Sequence, residues 1–145
     1  MSTATTTQPL QALQAALAGE HATIYGYGVA GARLTGAARN RALTDFDSHR
    51  ARRDELDALI RARGAEPVAA APSYVLPSPV TSAHDAVVLL ALLEERLAAV
   101  WADGVAAMSG SLRTLAIGGL RDAAVTAARW RGGSVAFPGL PDRAS

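Results

Sequence analysis

Glu20 stands in an otherwise apolar seam formed by Leu10, Leu13, Leu17, Ile24, Tyr27, Gly31 and Leu34, spaced alternately by three and four residues. That spacing is one buried face of a helix. A carboxylate on such a face must be hydrogen-bonded, paired or bound to a metal, because stripping it of water otherwise costs several kcal/mol or more. The same seam carries Tyr27, whose hydroxyl needs an acceptor once buried. His49 and Arg53 interrupt a second seam of Ala42, Phe46, Leu56 and Ile60, and Glu94 interrupts a third of Val87, Leu90, Leu97, Trp101 and Met108. If the first two segments pair antiparallel about Gly36, Glu20 lies 16 residues before the turn, His49 13 after it and Arg53 17 after it. All three then sit at similar depth. A core network of Glu20, Tyr27, His49, Arg53 and Glu94 would satisfy its own charges. A single metal held by Glu20, His49 and Glu94 is the alternative, since two carboxylates and an imidazole suit Fe, Mn or Zn. Arg53 tips the reading to the network, because its guanidinium stays protonated and would occupy the place of a dication. No metal or cofactor is favoured, and no catalytic residue is assigned.

Four helices must position these groups. The first has Pro9 in its opening turn, where a missing N–H is harmless, and runs to about Leu34. The second covers about Ala38 to Arg63 and ends at Gly64. Between Ala65 and Thr81 stand Pro67, Pro72, Pro77 and Pro79, so this stretch is extended rather than helical. At about 3 Å per residue it reaches roughly 50 Å, more than the ~38 Å of a 25-residue helix. It can therefore cross the whole bundle and leave the second and third helices parallel. The third helix opens at Ser82 with Asp85 three residues on, which resembles a capping box, and continues to about Met108. The fourth runs from about Leu112 to Arg131, packs through Leu115, Ala116, Leu120, Ala123, Ala127 and Trp130, and stops at Gly132 and Gly133. Residues 1–8 read as a frayed tail, and residues 9–145 as one bundle whose last segment, Phe137, Pro138, Leu140 and Pro141, docks back on it.

Composition narrows the function classes. The chain has 145 residues, half of them apolar, which is enough for one domain with a true core. All 14 basic residues are Arg, yet the net charge is only +1 because Asp and Glu are interleaved with them. This argues against a nucleic-acid or anionic-membrane surface. Cysteine is absent, so disulfides, thiolate metal sites and thiol nucleophiles are excluded. The longest apolar run, Ala86 to Leu93, is far shorter than the roughly 20 residues of a spanning helix. The Thr-rich start lacks a signal-peptide pattern, and a cytoplasmic location is expected.

Several fragments together resemble a known family. Glu20-His21 with Tyr25-Gly26-Tyr27-Gly28, His49-Arg50-Ala51-Arg52-Arg53-Asp54, Ser73-Tyr74-Val75-Leu76-Pro77, Leu93-Glu94-Glu95, Ala128-Arg129-Trp130-Arg131 and Phe137-Pro138-Gly139-Leu140-Pro141 are similar to the small actinobacterial ferritin-like family DUF4439, a domain of unknown function. The resemblance implies an all-α, ferritin-like four-helix bundle of two antiparallel hairpins joined by a long Pro-rich crossover, and it implies no activity. A ferritin-like di-iron site takes a Glu from each of two helices and Glu-x-x-His from the other two. Here Phe46 stands three before His49, and the fourth helix has neither Glu nor His. Asp45 is one residue out of place. A dinuclear oxidase is thereby disfavoured, and the expectation is a non-catalytic binding or scaffold bundle, able to form a homodimer through an apolar helix face or to take a protein partner or small ligand. A metal-binding oxidoreductase with a reduced, mononuclear site is the alternative.

Overall fold

The computed structural model describes residues 3–133, with side chains from residue 7 onward. Four helices follow in order: α1 Thr3–Gly31, α2 Gly36–Arg61, α3 Ala83–Ala107 and α4 Gly110–Arg131. No strand occurs among the described residues. α1 starts at Thr3 rather than at Pro9, so it takes in most of the stretch expected as a frayed tail. Pro9 lies inside the helix, where its ring removes one backbone hydrogen bond. The helix ends at Gly31, and Leu34 tucks into the core from the turn. The expected docking of Phe137, Pro138, Leu140 and Pro141 lies outside the described residues.

Local chemistry sets the remaining ends. Ser82 caps α3, its hydroxyl accepting from the Asp85 N–H at 3.1 Å, while the Asp85 carboxylate accepts from the Thr81 N–H and hydroxyl at 3.0 and 2.7 Å. α4 stops where Gly132 turns left-handed at φ 82°, returning its N–H to the Ala128 carbonyl. Both are familiar helix punctuation.

Close packing joins α1 to α2, α1 to α3 and α3 to α4. Gly19 faces Leu97 and Val100, whereas Gly26, farther along α1, faces the earlier residue Leu93. α1 and α3 are therefore antiparallel, and α2 and α3 parallel, as the crossover requires. That crossover runs along α1. The Gln14 amide donates to the Glu66 carbonyl and accepts from the Val68 N–H, both at 2.8 Å, His21 Nε2 bonds the Val68 carbonyl at 3.0 Å, and Tyr74 lies 5.6 Å from the Tyr25 ring. Leu76 and Val80 then pack on the bundle near the start of α3.

The core is divided in two. One apolar cluster holds Leu13, Leu17, Leu56, Ile60, Leu97, Trp101 and Met108, and the other Tyr27, Leu34, Ala42, Leu89, Leu90 and Trp130. The polar residues of mid-bundle lie between them. α2 and α4 are set apart, bridged by Arg52 Nη2 to Asp122 Oδ2 at 3.0 Å and by Trp130 Nε1 to Asp45 Oδ2 at 3.0 Å. A cleft opens between these bridges.

Candidate functional site

Glu20 on α1, His49 on α2 and Glu94 on α3 meet at the same level of the bundle. Glu94 is fully buried and Glu20 is 1% exposed. His49 Nδ1 lies 2.7 Å from Glu20 Oε2, and its Nε2 lies 2.7 Å from Glu94 Oε1. Either neutral tautomer would aim a ring lone pair at a carboxylate, so the imidazolium, with two N–H donors, is the form this geometry selects. Burial alone would push the His49 pKa down. The hydrogen bonds and negative charges of Glu20 and Glu94 outweigh it and raise the value to about 10.

Tyr27 extends the network, its hydroxyl donating to Glu94 Oε1 at 2.6 Å and receiving the Trp130 indole N–H at 3.1 Å. The same indole N–H reaches Asp45 Oδ2. Burial, followed by the charge of Glu94, raises the Tyr27 pKa, so the phenol stays protonated. Asp45, one turn before His49 on α2, is buried, and desolvation raises its pKa against the Trp130 hydrogen bond.

Four of the five expected network residues, Glu20, Tyr27, His49 and Glu94, come together. Arg53 does not: its Nε and Nη2 lie 2.9 and 2.7 Å from Asp54 Oδ1, and its side chain is 30% exposed. The reason is geometric, since Arg53 lies one turn beyond His49 along α2, about 6 Å away, and His49 already supplies the cation facing both glutamates. Two members escaped the sequence reading. Asp45 reads in the sequence as a displaced metal ligand and as one of the acidic residues among the arginines of α2, although it lies four residues before His49 and so on the same helix face. Trp130 reads in the sequence as core packing, although a buried indole N–H needs an acceptor.

The donor set does not fit a metal as it stands. Both His49 nitrogens are engaged by carboxylates, and among the described residues no group of three or more His, Asp or Glu side chains is arranged to hold a metal ion. One acceptor is nevertheless left over: Glu94 Oε2 is buried without a hydrogen-bond partner among the described residues. Glu94 lines the cleft between α2 and α4, a space of about 320 Å³ with His49 and Asp45 on the same floor, Trp101 and Leu97 among its walls, and Arg121 and Arg129 on the α4 side.

The chain is similar over its length to proteins of the same architecture. The crystal structure of the conserved hypothetical protein rv2844 from Mycobacterium tuberculosis superposes with a TM-score of 0.83 at 37% identity, over 87% of this chain and 96% of that one. No curated protein matches the chain. The model of the domain of unknown function DUF4439 matches residues 12–142, and with nine-tenths of its length accounted for in this way the chain belongs to the DUF4439 family.

Proposed function

We propose that this protein is a non-catalytic binding module, a ferritin-like bundle working in the cytoplasm, whose polar core is a structural network and whose α2–α4 cleft seats a small ligand. The observation that carries the reading is His49 bridging Glu20 and Glu94 through both ring nitrogens. An imidazolium held at both ends has no lone pair to accept a proton, and Glu20 Oε2 and Glu94 Oε1 are its acceptors, which supports a structural rather than an acid–base role for His49. Glu94 lines the cleft and its Oε2 has no partner among the described residues, which supports a binding site for a hydrogen-bond donor.

That same free oxygen is also what favours a single metal on Glu20, His49 and Glu94 as the competing reading. To bind there, the ion must displace the proton at one His49 nitrogen. Thermal and urea unfolding of wild type and Glu20→Ala, each with chelator and with added Fe(II), Mn(II) or Zn(II), separates the two. The network reading expects Glu20→Ala to lose roughly 3–5 kcal/mol, the cost of stranding a buried partner charge, to the same extent with and without metal. Saturable stabilisation of wild type by one metal, abolished in Glu20→Ala, would overturn it.

A further inference from the structure

The cleft is asymmetric in a way that names its ligand. Its floor is acidic: Glu20, Asp45 and Glu94 surround one cation, His49. Glu94 Oε2 is buried and has no partner among the described residues. A buried carboxyl oxygen in that position calls for a donor, and a positively charged donor is favoured most, because its charge offsets the surplus of acidic groups and the low-dielectric surroundings strengthen the contact.

The α4 side of the cleft is basic. Arg52, facing it from α2, is committed, bonding Asp122 at 3.0 Å and lying 5.6 Å over the Trp101 ring, and Arg121 on α4 lies 3.4 Å from the same Asp122 carboxylate. Arg129 is engaged less closely, with a 3.4 Å contact from Nη2 to the Thr126 hydroxyl, and a guanidinium has five N–H donors to offer. Arg129 lies near enough to Asp45 to act on its carboxyl electrostatically, which places it beside the floor rather than remote from it. Between floor and rim the walls mix apolar and polar groups, with Leu97, Ala123 and Val125 beside Ser48 and Thr126.

Resting on the reading of the cleft as a binding site, we propose that its ligand is a small zwitterion, with a protonated amine on Glu94 Oε2, an anionic group on Arg129, and a short aliphatic spacer between them. A space of about 320 Å³ suits a molecule of this size.

The probes are δ-aminovalerate, n-pentylamine and valerate, which present both charges, the cation alone and the anion alone. Each is titrated into the full chain near neutral pH, read by thermal shift and by tryptophan fluorescence, since Trp101 lines the cleft. The expected result is saturation by δ-aminovalerate at a concentration at least about tenfold below that of either half-molecule, weakened about tenfold or more by Arg129→Gln and by Glu94→Gln. Arg129 lies on the exposed side of α4, so Arg129→Gln keeps the test decisive if Glu94→Gln does not fold. Arg33→Gln, in the turn after α1, should bind as wild type does. Valerate or pentylamine binding as tightly as the zwitterion, or indifference to Arg129→Gln, would overturn the ligand class. If no probe saturates but another metabolite from a broad panel does, and Glu94→Gln or Arg129→Gln weakens it, the zwitterion is wrong while the binding module stands. If nothing in the panel saturates, both fall.

Discussion

His49 is the residue on which the protein's response to pH should turn. Its folded pKa of about 10 lies above the ordinary value of 6.5, so the folded state holds the proton more tightly than the unfolded chain does. The stability this contributes is fully present below about pH 6.5 and is lost as pH rises through about 10. On the order of a few kcal/mol is at stake. Urea unfolding across that window should show wild-type stability falling steadily with pH, while His49→Gln, weaker at the acidic end, should stay nearly level. A wild-type profile as flat as the variant's would show that His49 is not held as the imidazolium. Tyr27 does not confuse the window on the folded side, because burial beside Glu94 raises its pKa.

Among elements, the contact of α3 with α4 is made close by glycine. A Cβ built on Gly119 would stand 2.4 Å from the Trp101 indole, whereas one on neighbouring Gly118 would meet nothing within 4 Å. The two residues sit side by side in one helix and carry the same intrinsic cost, up to about 1 kcal/mol relative to Ala. Gly118→Ala should therefore stabilise by as much as that. Gly119→Ala should destabilise by about 2 kcal/mol or more, because a rigid indole in the core cannot yield without moving the helices or vacating its place. Urea midpoints of the two variants give the comparison, and equal shifts of the same sign would refute the interhelical role assigned to Gly119. Since Trp101 also walls the cleft, Gly119→Ala should alter ligand binding as well as stability.

For the molecule as a whole, the crossover decides which helices can be parallel. α2 contains 26 residues, or about 39 Å of helix, and the chain must return over that distance before α3 can start alongside it. Gln14, His21 and Tyr25 on α1 fasten the returning segment at Glu66, Val68 and Tyr74. Shortening the stretch between Arg61 and Ala83 to about eight residues leaves a reach of at most ~32 Å even when fully extended. The shortened chain should then be unable to pair its two hairpins within one copy and should exchange its α3–α4 hairpin with a second, a change visible as a doubled mass relative to wild type with helix content retained. A shortened chain of wild-type mass and stability would rule out the length requirement.

The four helices, their approximate bounds and the crossing segment were legible in the linear chain because each depends on short-range periodicity, prolines and glycines that act within a few residues. The meeting of Glu20 with His49 was legible too, since counting residues outward from a tight turn gives equal depth in a hairpin. Arg53 shows where that reasoning stops. Depth along the axis and rotation about it both matter, and one turn of helix separates a residue that bridges two glutamates from one that pairs with Asp54 at the surface. Asp45 and Trp130 joined the network for the converse reason: they come from α2 and α4, which the chain brings together only through α1 and α3. The cleft is likewise a tertiary product. Hydrogen bonds depend on tenths of an ångström between residues as distant in sequence as Tyr27 and Trp130, and no local pattern encodes that distance; it follows from how the two hairpins pack.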